Sequence, residues 1–327
     1  MKTKFKIGVV GGSGYVAGEL LRLLVHHPNI EIDFIQSHSH AGEKVQNIHQ
    51  DLFEVETTFS SEINPKADVV FICSGHGKAK SFLEKNAFSS ATKIIDLSAD
   101  FRLQKDATYN DSEFVYGLPE LNKSEIQKSN YIANPGCFAT AIQLALLPLA
   151  HSQLIKNDIH INAITGATGA GQSHQTITHF SWRNENISIY KAFEHQHLAE
   201  IKQSLNHLQS NFGTELHFIP MRGNFTRGIF ATLYTQTDLS ETELQKLYQY
   251  FYQDAPFMKI SDADIHLKQV VNTNYCLLQV QKRGNMVLIS SVIDNLLKGA
   301  AGQALQNMNL QLGLSQTTGL QLKASYF

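Results

Sequence analysis

Short apolar runs separated by amphipathic stretches fill the first 140 residues of the chain. KFKIGVV, IEIDFIQS, ADVVFICS and KIIDLSA are each the length of a strand and nearly continuous in apolar character. Between the first two, AGELLRLLVHH carries its apolar residues at helical spacing and is stopped by Pro28. Strands buried on both faces and separated by helices predict a parallel sheet. After residue 150 the texture changes. IHINAITGATGAG, LHFIPM, RGIFATLYTQT, NYCLLQVQK and NMVLISSVI alternate apolar with polar, which predicts a mixed or antiparallel sheet. HLAEIKQSLNHL and SETELQKLYQYFYQ read as amphipathic helices. DNLLKGAAGQALQNMNLQL reads as one long closing helix, whose Gly299, Ala300, Ala301 and Gly302 permit close backbone approach. The chain is therefore expected to be α/β, with two domains and a last helix that returns to the first.

Composition narrows the partners. The 327 residues carry 27 Lys+Arg against 29 Asp+Glu, a formal charge of -2, and show no basic cluster for nucleic acid. The MKTKFKIGVV start breaks at once on glycines and reads as a first strand rather than a signal peptide. No apolar run reaches the roughly 18 residues that a membrane span needs. Cys73, Cys137 and Cys276 are far apart and odd in number, so free thiols in the cytoplasm are expected rather than a disulfide framework. The 15 histidines lack the spacing of a metal site, so no metal is expected.

The loop GVVGGSGYVAGEL follows the first strand and opens the first helix. Glycines there let the backbone bend and approach a pyrophosphate at the helix N-terminus. Gly11-x-x-Gly14-x-x-Ala17 is a variant of the dinucleotide spacing, and a tight turn without a ligand is its plain alternative. A Rossmann-type domain is thus expected over 1–136, completed by 295–327, with a mixed-sheet α+β domain over 137–294. The second strand ends in Gln36-Ser37-His38-Ser39-His40, without the carboxylate that holds an NAD ribose. Hydroxyls and imidazoles can donate to a 2′-phosphate, so NADP is expected over NAD. The candidate cofactor contacts are Gly11, Ser13, Gly14, Tyr15, Val16, Ser37, Ser39, Ser74, Gly75, Gly169 and Asn295.

NPGCFAT puts Cys137 directly after a turn and at the head of an apolar helix. Unpaired N–H groups and the positive dipole end there favour thiolate over thiol. The competing reading is a packing cysteine. GATGAG, at 166–171, supplies a second flexible turn. Arg102 follows a buried strand, where it is either a surface ion-pair residue or a phosphate clamp. His195, His197 and His217 are candidate acid–base partners for a thiolate. At about 100° per residue, His197 lies nearer than His195 to the apolar face of Leu198, Ile201, Leu205 and Leu208.

GGSGYVAGELLRLL, SHSHAG, DLSADFRL, YGLPELN, NPGCFATAIQLALLPL, TGATGAG, HQHLAEI, RGIFATLY and IDNLLKGAAGQALQNMNL together resemble the N-acetyl-γ-glutamyl-phosphate reductase family of arginine biosynthesis. The resemblance spans nearly the whole chain. It implies a cysteine nucleophile, carried over to Cys137, and a histidine acid–base, carried over to His197. It also implies an acyl-phosphate substrate reduced through a thioester, a catalytic and oligomerisation role for 137–294, and a homodimer or homotetramer. Arg102, Asn134, Gln172, His195 and Arg227 are the implied substrate contacts. Two departures stand out. Gln172 occupies the place of an arginine in the family's second glycine turn, which leaves Arg183 as a possible substitute. Gly12 and Ala17-Gly18 differ from the family's usual first loop.

Three alternatives accompany this reading. The same chemistry could act on an N-succinyl or other acyl phosphate, as in the related aspartate-semialdehyde dehydrogenases, although HQHLAEI and DNLLKGAAGQA speak against the latter. A carrier-protein-bound substrate would want a basic docking face, and none shows. A non-catalytic NADP-sensing protein would have no need of Cys137.

Overall fold

The structure, a computed structural model, describes residues 4–53 and 55–327. Two compact units divide the chain. One runs to Pro135 and takes in Ala300–Gln321; the other is Gly136–Gly299 with Leu322–Phe327. Residues 295–299 and the last six, grouped by sequence with the first domain, thus fall in the second unit.

The first unit alternates strand and helix as the apolar pattern predicts. It runs β1 (Phe5–Val10), α1 (Tyr15–Leu24), β2 (Ile30–Gln36), α2 (Val45–Ile48), β3 (Val69–Ile72), α3 (Ala79–Lys85) and β4 (Lys93–Asp96). A small hairpin, β5 (Thr108–Tyr109) with β6 (Ser112–Glu113), precedes β7 (Val115–Tyr116), α4 (Pro119–Lys128) and β8 (Tyr131–Ala133). Six strands form one sheet in the order β2-β1-β3-β4-β8-β7, and every neighbouring pair is parallel. All four residues of β3 are buried, as a strand covered on both faces requires.

The second unit opens with α5 (Cys137–His151), whose residues from Phe138 to Ala150 are all buried. β9 (Ile159–Thr165), α6 (Phe180–Arg183), β10 (Ser188–Ile189), α7 (His197–Leu208), β11 (Leu216–Arg222), β12 (Ile229–Gln236), α8 (Glu241–Phe251), β13 (Met258–Ile260), β14 (Cys276–Arg283) and β15 (Met286–Ile293) follow. Seven strands make a mixed sheet in the order β10-β11-β9-β12-β15-β14-β13. β9 and β11 run parallel, while β12, β14 and β15 pair antiparallel. β9 and β11 both alternate buried residues with half-buried or exposed ones, so one face of the sheet is covered. α5 packs on β12, β14 and β15 there, beside α7 and α8. Tyr248 and Tyr252 of the α8 region donate their hydroxyls to the carbonyls of Ala145 and Leu144 on α5.

The closing helix differs from the single long helix expected. Leu297–Ala301 is a π turn, and only Gly302–Gln311 is α-helical (α9). The buried Asp294 carboxylate accepts the N–H groups of Leu296 and Leu297 at 2.8 and 3.0 Å, which fixes the start of the segment. α9 belongs to the first unit and packs on α1, α4 and β4. Among the described residues, no helix is long and apolar enough to cross a membrane.

Candidate active site

Cys137 is the first residue of α5, and Gly136 is its N-cap, in extended conformation with no side chain capping the helix. The leading N–H groups of such a helix have no partner within it, and the half-buried Cys137 stands at this positive end. Gly136 is dictated by space rather than by backbone angle. Its φ is an ordinary -71°, yet a Cβ there would lie 2.6 Å from Cε1 of His197. Gly299 is constrained from the other side, since a Cβ on it would lie 2.8 Å from the Cys137 Cβ. Two glycines therefore let an imidazole and the backbone close around one cysteine.

His197 opens α7, and Glu200 lies one turn on. The buried Glu200 carboxylate accepts the Gly136 N–H at 3.0 Å and lies 3.9 Å from Nε2 of His197. It thus ties α7 to the turn before Cys137. His195 precedes the helix, so its orientation cannot follow the helical wheel that favoured His197. Both rings are buried, 4.6 Å apart. Burial, reinforced by Lys191, holds the His195 imidazole down at about 4. Its Nδ1 accepts the His197 N–H at 3.2 Å, so the neutral ring carries its proton on Nε2. His217 does not join this group. It sits on the half-buried side of β11, pairs with Asp158 at 3.1 Å and stacks on His160. Phe218, one residue on, faces inward and touches both Phe138 and His195.

Tyr190 faces His195 with ring centroids 5.8 Å apart. Burial raises its phenol well above the ordinary value, and the nearby Cys137 charge adds to this while Arg222 opposes it. Glu200, Tyr190 and Arg222 were not among the residues singled out by sequence. Glu200 had a visible signal, being an acid on the buried stripe of α7 with Ile201 and Leu205. Arg222 had one too, since alternation in LHFIPMR places it inward with Leu216, Phe218 and Pro220.

In the first unit, the glycine loop joins β1 to α1. Gly11 has φ +74°, and a Cβ there would meet the Ser74 backbone at 2.8 Å, so only glycine lets the ends of β1 and β3 approach. Gly14 caps α1 with open space beside it, no capping side chain and no acid in the first turn. That end suits a phosphate. The Ser74 hydroxyl is buried without a hydrogen-bond partner among the described residues, and Ser37 lies within 3.4 Å of both Ser13 and Ser39. These residues fit a dinucleotide phosphate, with hydroxyls and no carboxylate at the end of β2.

Residues 6–129 match the family model described as semialdehyde dehydrogenase, NAD binding domain, and 137–295 match semialdehyde dehydrogenase, dimerisation domain. The chain is 60% identical over 322 residues to a protein of Flavobacterium johnsoniae named N-acetyl-gamma-glutamyl-phosphate reductase, with 98% of this chain and 99% of the relative covered. A protein of the same name from Christiangramia forsetii is 58% identical over 321 residues, with the same coverage. The chain belongs to the N-acetyl-gamma-glutamyl-phosphate reductase family. Solved structures share its fold. Aspartate semialdehyde dehydrogenase II of Vibrio cholerae gives a TM-score of 0.73 at 17% identity, covering 95% of this chain and 98% of that one. The Candida albicans aspartate semialdehyde dehydrogenase with NADP gives 0.66 at 14%, covering 94% and 98%.

As a member of this reductase family the chain is an NAD(P)-dependent oxidoreductase, and several side chains expected to meet substrate are engaged within the protein. Arg102 is buried, donating from Nε to the Asn134 carbonyl at 2.8 Å and from a terminal nitrogen to Leu97 at 3.1 Å. It is thus no surface ion-pair residue; it braces the backbone three residues before the cysteine. Asn134 bonds to Ala300 and Asn307. Arg227 forms a fork on Asp294 at 3.0 and 3.1 Å. Asn295 accepts the Gly228 N–H and donates to Thr168, which clamps the second glycine turn beside the exposed Gly169. Gln172 is exposed. Arg183 cannot stand in for the reductases' arginine by reaching outward: it is buried and donates to Ile177, Asn186, Arg222 and Ser188.

Proposed function

We propose that the chain reduces N-acetyl-L-glutamyl 5-phosphate to N-acetyl-L-glutamate 5-semialdehyde with NADPH, releasing phosphate, in arginine biosynthesis. The observation that carries this reading is Cys137 at the head of α5, with the His197 imidazole packed against the glycine before it. The Cys137 thiolate attacks the acyl carbon, a C–S bond forms and the C–O bond to phosphate breaks. The helix-end N–H groups stabilise the oxyanion. NADPH, when bound, would supply the hydride that the thioester carbon takes up. His197 donates a proton to the resulting oxygen and takes it back as the C–S bond breaks, so the aldehyde leaves and the thiolate is restored. Glu200 holds His197 and the turn in place. The neutral His195 packs beside them.

NADP rather than NAD is supported by the hydroxyls at Ser37 and Ser39. The dimerisation domain that 137–295 matches supports a homo-oligomer, which we place in the cytoplasm with reduced thiols. Incubating the purified protein with N-acetylglutamate semialdehyde, NADP and phosphate tests the reading. Nicotinamide reduction that depends on phosphate is expected, and its absence would overturn the assignment.

A further inference from the structure

Arg222 closes β11 and is 6% exposed. Its guanidinium lies 4.6 Å from the Tyr190 ring centroid. Among the described residues it has no carboxylate partner, and its Nε has no hydrogen-bond partner. The adjacent cation makes matters worse. Arg183, also 6% exposed, donates to the Arg222 carbonyl and brings a second positive charge without an acid. A buried charge lacking a counter-ion is costly, and two neighbouring ones more so. Folding alone gives no reason to keep them.

A second orphan lies alongside. Thr165, 1% exposed, is the direct register partner of Arg222 across the parallel β9–β11 pair. Residues in register on neighbouring strands share a face. The Thr165 Oγ1 has no hydrogen-bond partner among the described residues either. This face also carries Phe218, which packs on Phe138 in the first turn of α5. Tyr190 links the two, touching Arg222 and feeling the charge of Cys137. The Arg222 guanidinium hydrogen-bonds the Tyr190 hydroxyl, yet its Nε and the Thr165 hydroxyl are both unmatched, and they converge near the start of α5.

We propose that Arg222 and Thr165 form an anion subsite that holds a substrate oxyanion while the acyl carbon sits at Cys137. The guanidinium fork suits a carboxylate or a phosphate equally. The proposal rests on the acyl-phosphate reading, which offers both: the substrate's own carboxylate and the transferred phosphate.

Arg222→Lys keeps the charge but loses the fork, and Thr165→Val keeps the shape but loses the hydroxyl. Wild type and both variants are assayed with NADP, phosphate and N-acetylglutamate semialdehyde, varying each in turn. An increase of about tenfold or more in the KM for semialdehyde identifies the carboxylate as the bound group, and the same increase for phosphate identifies the phosphate. Either supports the subsite. Unchanged KM values in folded variants overturn it. Alkylation of Cys137 by iodoacetamide gives a readout independent of turnover. N-acetylglutamate or inorganic phosphate should slow it in wild type and do so less in the variants; equal protection in all three also overturns the subsite. A wild type without turnover defeats the reductase reading alone, because protection still judges Arg222. If Arg222→Lys does not fold, Thr165→Val decides.

Discussion

The imidazole of His197 occupies the space that a side chain on Gly136 would need, with Cε1 and Cδ2 at 2.6 and 2.7 Å from the position of a Cβ. Gly136→Ala is therefore a steric probe of His197. The backbone itself would accept alanine, because φ is -71°. The added methyl must push the ring away from the turn and strain the Glu200 bond to the Gly136 N–H. Turnover should fall by about 10²–10⁴-fold, the range for a lost acid–base group. NADP binding, followed by fluorescence, should persist. A fully active Gly136→Ala protein would show that His197 need not sit where it does.

The three cysteines should differ sharply in reactivity. Cys137 and Cys73 are both half-buried, but Cys137 heads a helix, whereas desolvation and then the Asp96 charge raise the Cys73 thiol well above its ordinary value; Cys276 is fully buried against Ser291. Iodoacetamide at pH 7 should label Cys137 first, as peptide mapping by mass spectrometry would show. Cys137→Ser should keep the fold yet lose nearly all reduction, since a serine hydroxyl is barely ionised and is a poorer leaving group. Near-normal activity in that variant would return Cys137 to a packing role.

Much of this was legible in sequence because apolar periodicity is a local signal. The buried strands, α7, α8 and the helix after Cys137 all follow from it. The short strands β7, β8 and β13 have two or three residues each, too short to show a period. The π turn before α9 depends on the distant network around Asp294, where Arg227 and Asn272 meet Leu296 and Leu297. Arg102 and Arg227 looked free because nothing local reveals that a carbonyl 32 residues on, or an acid 67 residues on, will claim them. His195 was placed on a helix that starts two residues later.

Two buried groups should give the stability profile opposing slopes. Burial lowers His195 from 6.5 to about 4. The unfolded chain then binds the extra proton, so this contribution is present above about 6.5 and lost as pH falls toward 4. Burial raises Asp96 from 3.8 to about 6. Its contribution is present below 3.8 and lost as pH rises through about 6. Thermal midpoints from pH 4 to 7 should show His195→Gln gaining on wild type as the pH drops, and Asp96→Asn gaining as it rises. Parallel curves for either variant would contradict the corresponding burial.

The end of β2 offers a test of cofactor choice. Ser37 is buried, lies within 3.4 Å of Ser13 in the glycine loop and of Ser39, and no carboxylate stands among them. A 2′-phosphate can accept from these hydroxyls, whereas a carboxylate would repel it and would favour a ribose 2′-hydroxyl. Wild type should therefore turn over faster with NADP than with NAD at equal subsaturating concentrations. Ser37→Asp should lower kcat/KM for NADP by about tenfold or more, the cost of setting a charge against a phosphate. It should leave kcat/KM for NAD unchanged or improved. The phosphate and semialdehyde KM values are the internal control, because Ser37 lies in the first unit and has no part in the proposed acyl chemistry of the second. Equal use of NAD by wild type, or a Ser37→Asp protein that keeps its NADP preference, would place the discrimination on residues other than these serines.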